Sequence, residues 1–328
     1  MMRILGLMSA VAVTGLLVSP AAAQQLSLKF GHVGEPGSLF EASANEFARC
    51  SNEALGDKAE VQVFGSSQLG SDSELLQKLK LGQVTFALPS TVMSSVDPTF
   101  GVFEMPYIIK SREHMKRVED AVLESKLQPA AQAKGYRIIG IWENGFRHIT
   151  NNKRPINTPE DLKGVKLRTP KGAWRVKMFQ LYGANPSPMA FSEVFTALQT
   201  GVMDGQENPY TQIWSAKFQE VQKYLSVTGH VYTPAYALVS ERHYAGLPDD
   251  VRSVLDRCGQ ETQAYVYETA AKMETDLLEK LKEGGIAVNE ADKEAFIAAS
   301  KPVYEEFAGS VDGGQELINT LLKLGEGS

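Results

Sequence analysis

Two cysteines and five histidines are all that 328 residues supply of the usual metal-binding side chains. No two histidines flank a glutamate at helical spacing, so the zinc-hydrolase signature is missing. There is also no G-x-S-x-G elbow, no phosphate-cradling glycine loop of the Walker type and no G-x-G-x-x-G. Each histidine is read as a surface or structural residue, and no metal, cofactor or catalytic group is expected. A basic run is absent too. The net charge is −6, which argues against nucleic acid as a partner. Cys50 and Cys258 are too far apart in sequence for a local redox or metal motif. They are either a disulfide or two separately buried thiols, and sequence does not supply the Cα separation that would decide. Short internal repeats and low-complexity segments are lacking as well.

The N-terminus is informative. Arg3 is followed by an uncharged, mostly apolar run from Ile4 to Val18, then Pro20 and Ala21-Ala22-Ala23. That order is the n-region, h-region and small-residue cleavage site of a secretory signal peptide. A permanent anchor would need about 20 apolar residues and a basic stop-transfer cluster. Residues 1–23 are therefore expected to be removed after Ala23, with no lipid attachment, and the product to be periplasmic.

From Leu26 the chain alternates. Leu26, Leu28 and Phe30 share one face of a strand, and Ser38 can cap a helix that ends near Gly56. Strand 61–64, a helix opened by Ser71-Asp72-Ser73-Glu74 and closed by Gly82, and strand QVTFALP follow. Such crossovers suit a parallel sheet. Helical sequence from 112 to 134 leads into strand RIIGIW. A second run contains strand Val165–Leu167, helices near 171–182 and 191–200, and the apolar stretch Leu225–Tyr232. Residues 248–283 then read as one helix, about 50 Å long, which only Gly259 weakens. The expected fold is α/β, with two lobes, a central cleft and a long helix spanning both. Residues 24–145 with about 234–270 would form one lobe, and 146–233 with about 271–328 the other.

Two arginines stand near carboxyl ends of strands, where α/β sheets bind ligands: Arg168 in VKLRTP and Arg147 in NGFRHITNN. A guanidinium there can grip a carboxylate with two parallel hydrogen bonds. A surface salt bridge is the plainer alternative for either one alone. In GVMDGQENP, residues 201–209, Gly201, Asp204 and Gly205 suit turn chemistry, with Asp204 bonding its own backbone.

FSEVFTALQTGVMDGQENP, GFRHITNNKRPINTPEDLKGVKLRTP, VFGSSQLGSDSELLQKLKLGQV, FEMPYI and FQEVQKYLSVTGHVY together resemble the solute-binding proteins of tripartite ATP-independent periplasmic (TRAP) transporters, of the dicarboxylate-binding type. The likeness runs through the whole mature chain. It implies a small organic acid held in the cleft, lobe closure, and delivery by a monomer to a small and a large membrane subunit that use an ion gradient. It also implies Arg168 as the carboxylate clamp, with Arg147, Asn208 and Phe191 beside it. Glu207 either orients an arginine or touches the solute, and Trp214 is a further candidate. In the first lobe the resemblance fixes no pattern, but His32, Glu35, Ser90 and Thr91 are available. Two other functions use the same cleft. One is a ligand sensor that shows its closed form to a receptor. The other is a secreted lyase or isomerase with Glu207 or His148 as base.

Overall fold

A computed structural model describes residues 25–326. The expected leader and its cleavage site after Ala23 lie outside the described residues. Nine strands build one mixed sheet: β1 Leu26–Gly31, β2 Ala59–Phe64, β3 Phe86–Ala87, β4 Tyr136–Asn151, β5 Lys166–Thr169, β6 Asn185–Pro188, β7 Gly205–Asn208, β8 Tyr224–Ser240 and β9 Ala287–Glu290. Their order is β2-β1-β3-β8-β4-β7-β5-β6, with β9 beside β8. β1 runs parallel to β2 and β3, and β5 parallel to β6 and β7. Between these two parallel groups lie β4 and β8, antiparallel to each other. Each lobe is thus a parallel α/β unit, and β4 and β8 belong to both.

Local sequence explains the first unit. Ser38 accepts a hydrogen bond from the Glu41 amide at 3.2 Å and starts helix α1, Leu39–Leu55. Phe40, Ala44 and Phe47 on one stripe of α1 are buried, as amphipathic spacing requires. Helix α2, Asp72–Leu81, opens with a Ser71–Glu74 capping box and closes at Gly82 in the left-handed region, φ 69°, a backbone that a side chain would disfavour. Strand QVTFALP is shorter than its sequence suggests. Only Phe86 and Ala87 pair with β1, because the chain then turns into a 3₁₀ segment, Thr91–Ser95, on the cleft side. The stretch 112–134 is likewise interrupted, by a wide turn at Leu123–Leu127 just before Pro129.

The long helix is Asp249–Glu283, 35 residues. Gly259 sits where it crosses β4. A Cβ there would collide with the Ile139 carbonyl, and the Trp142 indole N–H donates to the Gly259 carbonyl at 2.9 Å. The glycine that weakens the helix locally is what permits this close crossing. Among the described residues no helix is long and apolar enough to cross a membrane.

Cys50 on α1 and Cys258 on the long helix form a disulfide, with Cα atoms 5.8 Å apart and a sequence separation of 208. The two-thiol alternative is therefore set aside. Closing so long a loop restricts the unfolded chain, by about 5 kcal/mol in the chain-entropy model. The Cys50→Ser/Cys258→Ser double variant should unfold at clearly lower denaturant concentration than the oxidised wild type, with the reduced wild type behaving like the variant.

Candidate functional site

A cavity lies between the two units. Its second-lobe side carries Arg147, Arg168, Phe191 and Asn208, and its first-lobe side carries Phe40, Asp72, Ser90 and Thr91. Arg168, on β5, is 3% exposed. Its Nε and Nη2 both donate to the Met189 carbonyl, at 3.1 and 2.6 Å. That double bond aims the guanidinium and leaves Nη1 without a protein partner. Phe191 lies with its ring centroid 6.0 Å from the guanidinium carbon. Burial, then the charge of Arg147, lower the Arg168 pKa to about 10, so it stays cationic at neutral pH. Among the described residues it has no carboxylate partner.

Behind it lies a buried ionic cluster. Arg147 donates from Nε to Glu207 Oε2 at 2.5 Å and from Nη2 to Glu207 Oε1 at 3.1 Å and Asn208 Oδ1 at 2.9 Å. Arg175, in the helix Ala173–Leu181, reaches the same Glu207 Oε2 at 2.8 Å. The Arg175 backbone N–H donates to Glu104 at 2.8 Å, and a Cβ at Gly172 would collide with that carboxylate. Burial would raise the Glu207 pKa, but the charges of Arg147 and Arg175, with a hydrogen bond to His230, hold it well below the usual carboxylate range. For Glu104, burial outweighs Arg175 and pushes the pKa up. Asn208 is also tied to Gln206 at 2.6 Å. Its orientation, and that of Arg147, is set before any ligand arrives.

On the first-lobe side the Ser90 hydroxyl donates to the Pro234 carbonyl at 2.7 Å, and Asn144 Nδ2 donates to Ser90 and Thr233 at 3.3 and 3.2 Å. Thr91 Oγ1 and Gln212 Oε1 are buried with no partner. Both residues line the cavity.

The sequence candidates divide accordingly. Arg168, Arg147, Asn208, Phe191, Ser90 and Thr91 come together at the cavity. Glu207 lies beneath it, gripping two arginines. Trp214 is half-buried and lines a different depression, beside Pro36 and the long helix. Glu35 and His32 are not among the lining residues; His32 is buried and its pKa falls to about 4 through desolvation. Asp204 does not close a turn on its own backbone. Its Oδ2 accepts from the Lys166 amide at 3.0 Å and ties β7 to β5, because a one-residue reach across paired strands is available there. Asp72, Asn144, Gln212, Arg175 and Glu104 were not singled out from sequence. A serine-flanked acid at a helix start looks like simple capping, and a lone charge on a helix looks solvated.

His230 supplies a pH test. It is buried, with Nε2 3.1 Å from Glu207, and burial lowers its pKa from 6.5 to about 4 against the pull of Glu207. The unfolded chain therefore takes up this proton first. The contribution is constant above about pH 6.5 and is lost between 6.5 and 4, by about 3 kcal/mol in all. The stability advantage of wild type over His230→Gln should shrink across that window in urea titrations.

The family model for bacterial extracellular solute-binding protein, family 7 (DctP), matches residues 30–310. The chain belongs to this family. The C4-dicarboxylate-binding periplasmic protein DctP of Rhodobacter capsulatus is 33% identical over 325 residues, 96% of either chain. A TRAP periplasmic solute-binding protein from Polaromonas sp. JS666, bound to D-erythronate, superposes with TM-score 0.87 at 34% identity, covering 91% of this chain and 98% of that one. Another, from Sulfurospirillum deleyianum with bound succinate, gives TM-score 0.87 at 32% identity over 92% and 100%. Family 7 solute-binding proteins are transport components, and their two-lobed α/β architecture is the one described above.

Proposed function

We propose that this family 7 solute-binding protein captures a small organic acid by its carboxylate, between Arg168 and Arg147, and hands it to the small and large membrane subunits of a TRAP transporter. The observation that carries the reading is Arg168: a buried cation, aimed by Met189, with Nη1 open to the cavity and no carboxylate partner among the described residues. A desolvated charge of this kind is costly until an anion arrives. Arg147 Nη1 and the second N–H of Asn208 add donors, and Phe191 adds an apolar wall.

Lobes 24–145 plus 234–270 and 146–233 plus 271–328 would close over the solute, which favours closure only because it touches both. The proposed boundaries fall where β4 is irregular, between Glu143 and Gly145, and at Pro234 of β8. The leader 1–23 would be cleaved after Ala23 to deliver a monomer to the periplasm. Glu207, ionised and held by two arginines, is a poor general base, and His148 lines another groove. Binding without turnover is the consistent reading.

A thermal-shift screen of the mature protein against organic acids, neutral sugars and amines tests it. Acids should raise the melting temperature, since a ligand that binds only the native state stabilises it. A response confined to neutral sugars or amines would defeat the proposal.

A further inference from the structure

Relatives hold both hydroxylated monoacids and diacids, so the family alone leaves the ligand's far end undefined. The two walls of this cavity differ in a way that defines it. On the second-lobe side three buried guanidiniums, of Arg147, Arg168 and Arg175, surround the Glu207 carboxylate, and Arg175 also faces the buried Glu104 of the first lobe. The surplus is at least one positive charge, and it faces the cavity at Arg168, where a ligand carboxylate can meet it.

The first-lobe wall offers no cation. It presents Asp72, in the first turn of α2, at the cavity. The carboxylate feels the charges of Arg168 and Lys171 across the space, yet it is ion-paired to neither. Lys171 is exposed at the cavity's second-lobe edge, where solvent screens it. Burial raises the Asp72 pKa to about 6 against those two cations, which leaves the group mostly ionised at pH 7. Other polar atoms line the same cavity, from Thr91 and Ser90 of the first lobe and Gln212 of the second. Thr91 Oγ1 and Gln212 Oε1 have no partner, with the Gln212 amide oriented by its 3.5 Å bond to Asn144 Oδ1. The Ser90 hydroxyl proton is already committed to Pro234.

We infer that the cavity selects a small hydroxylated monocarboxylate and rejects the matching dicarboxylate, with Asp72 as the residue that discriminates. Hydroxyl groups beyond the clamped carboxylate donate to the part-buried Asp72 carboxylate and to Gln212 Oε1 and pair with the Thr91 hydroxyl, so that two buried polar atoms without partners find them on closure. A second carboxylate in the same place sets lone pairs and a like charge against Asp72 and Gln212 Oε1, a repulsive element of the kind that sets specificity. The inference rests on the carboxylate clamp proposed above.

Matched pairs isolate it. D-erythronate and meso-tartrate both have four carbons, and galactonate and galactarate both have six. They differ at the end that would face Asp72. Calorimetry on the mature protein should show at least one monoacid binding tenfold or more tighter than its diacid. Asp72→Asn should narrow that ratio by about tenfold, chiefly by improving the diacid. Asp72→Ala should weaken the monoacid by about tenfold. Thermal melts of the unliganded variants check that α2, still held by its Ser71–Glu74 cap, remains folded. Arg168→Ala should abolish both members of a pair, which tests the clamp separately. A diacid that binds as well as its monoacid, an acid without hydroxyls as the only ligand, or an unchanged ratio in Asp72→Asn overturns the inference and leaves the clamp standing. Failure of every organic acid to bind overturns both.

Discussion

Arg168→Ala is expected to lower affinity for the cognate acid by roughly 10²-fold to several-thousand-fold. The basis is the cost of leaving a buried charge without its partner, about 3–5 kcal/mol, with every 1.4 kcal/mol worth tenfold. In the variant the ligand carboxylate enters the cleft, loses its water and meets no guanidinium at Nη1. The unliganded variant should behave differently. Wild-type Arg168 is a desolvated cation hydrogen-bonded only to a carbonyl, so removing it should leave the apo melting temperature unchanged or raised. Arg168→Lys should also bind poorly, because an ammonium cannot reproduce the planar fork that Met189 aims. Calorimetry and melting of the same three proteins settle the matter. Less than a fivefold loss of affinity in Arg168→Ala would end its assignment as the clamp.

Glu207→Ala is expected to destabilise the fold strongly. One buried carboxylate serves Arg147, Arg175 and His230. Without it Arg147 keeps only hydrogen bonds to the residue-207 backbone and Asn208, and Arg175 only its distant contact with Glu104, 3.9 Å away. Breaking a buried pair in this way costs about 3–5 kcal/mol. With two arginines stranded at once, the upper end is expected. For a chain of this size that lowers the melting temperature by on the order of 10 °C. Glu207→Gln keeps the shape and should recover part of the loss, but not the charge. Denaturant titration of both variants distinguishes the electrostatic share from packing. If Glu207→Ala proved as stable as wild type, the cluster would not be a supporting element of the site.

How far these residues could be read from sequence follows from the range of the forces involved. Ser38, the Ser71–Glu74 box and Gly82 act within four residues, and the helices they bound lie where sequence puts them. The 35-residue helix was legible for the same reason, since its apolar periodicity is local. β4 and β8 were not. RIIGIW announces the first half of β4, but its second half, NGFRHITN, is polar and shows no strand alternation. Its side chains are buried because partners from elsewhere satisfy them: Glu207 for Arg147, the Gly229 amide for His148 at 3.1 Å, and Gln222 for Thr150 at 2.9 Å.

The sequence by itself determined the α/β class, the two lobes with their long spanning helix, and a group of residues that tertiary structure gathers at one cavity. Tertiary structure alone decided that Cys50 and Cys258 join, that Glu207 supports the site from beneath, that Trp214 lies elsewhere and that Asp72 faces Arg168. Helix caps and apolar periods are set by near neighbours along the chain. The ionisation of Glu207, Glu104 and Asp72 is shaped by arginines 32 to 96 positions away, and such groups meet only once the sheet is assembled.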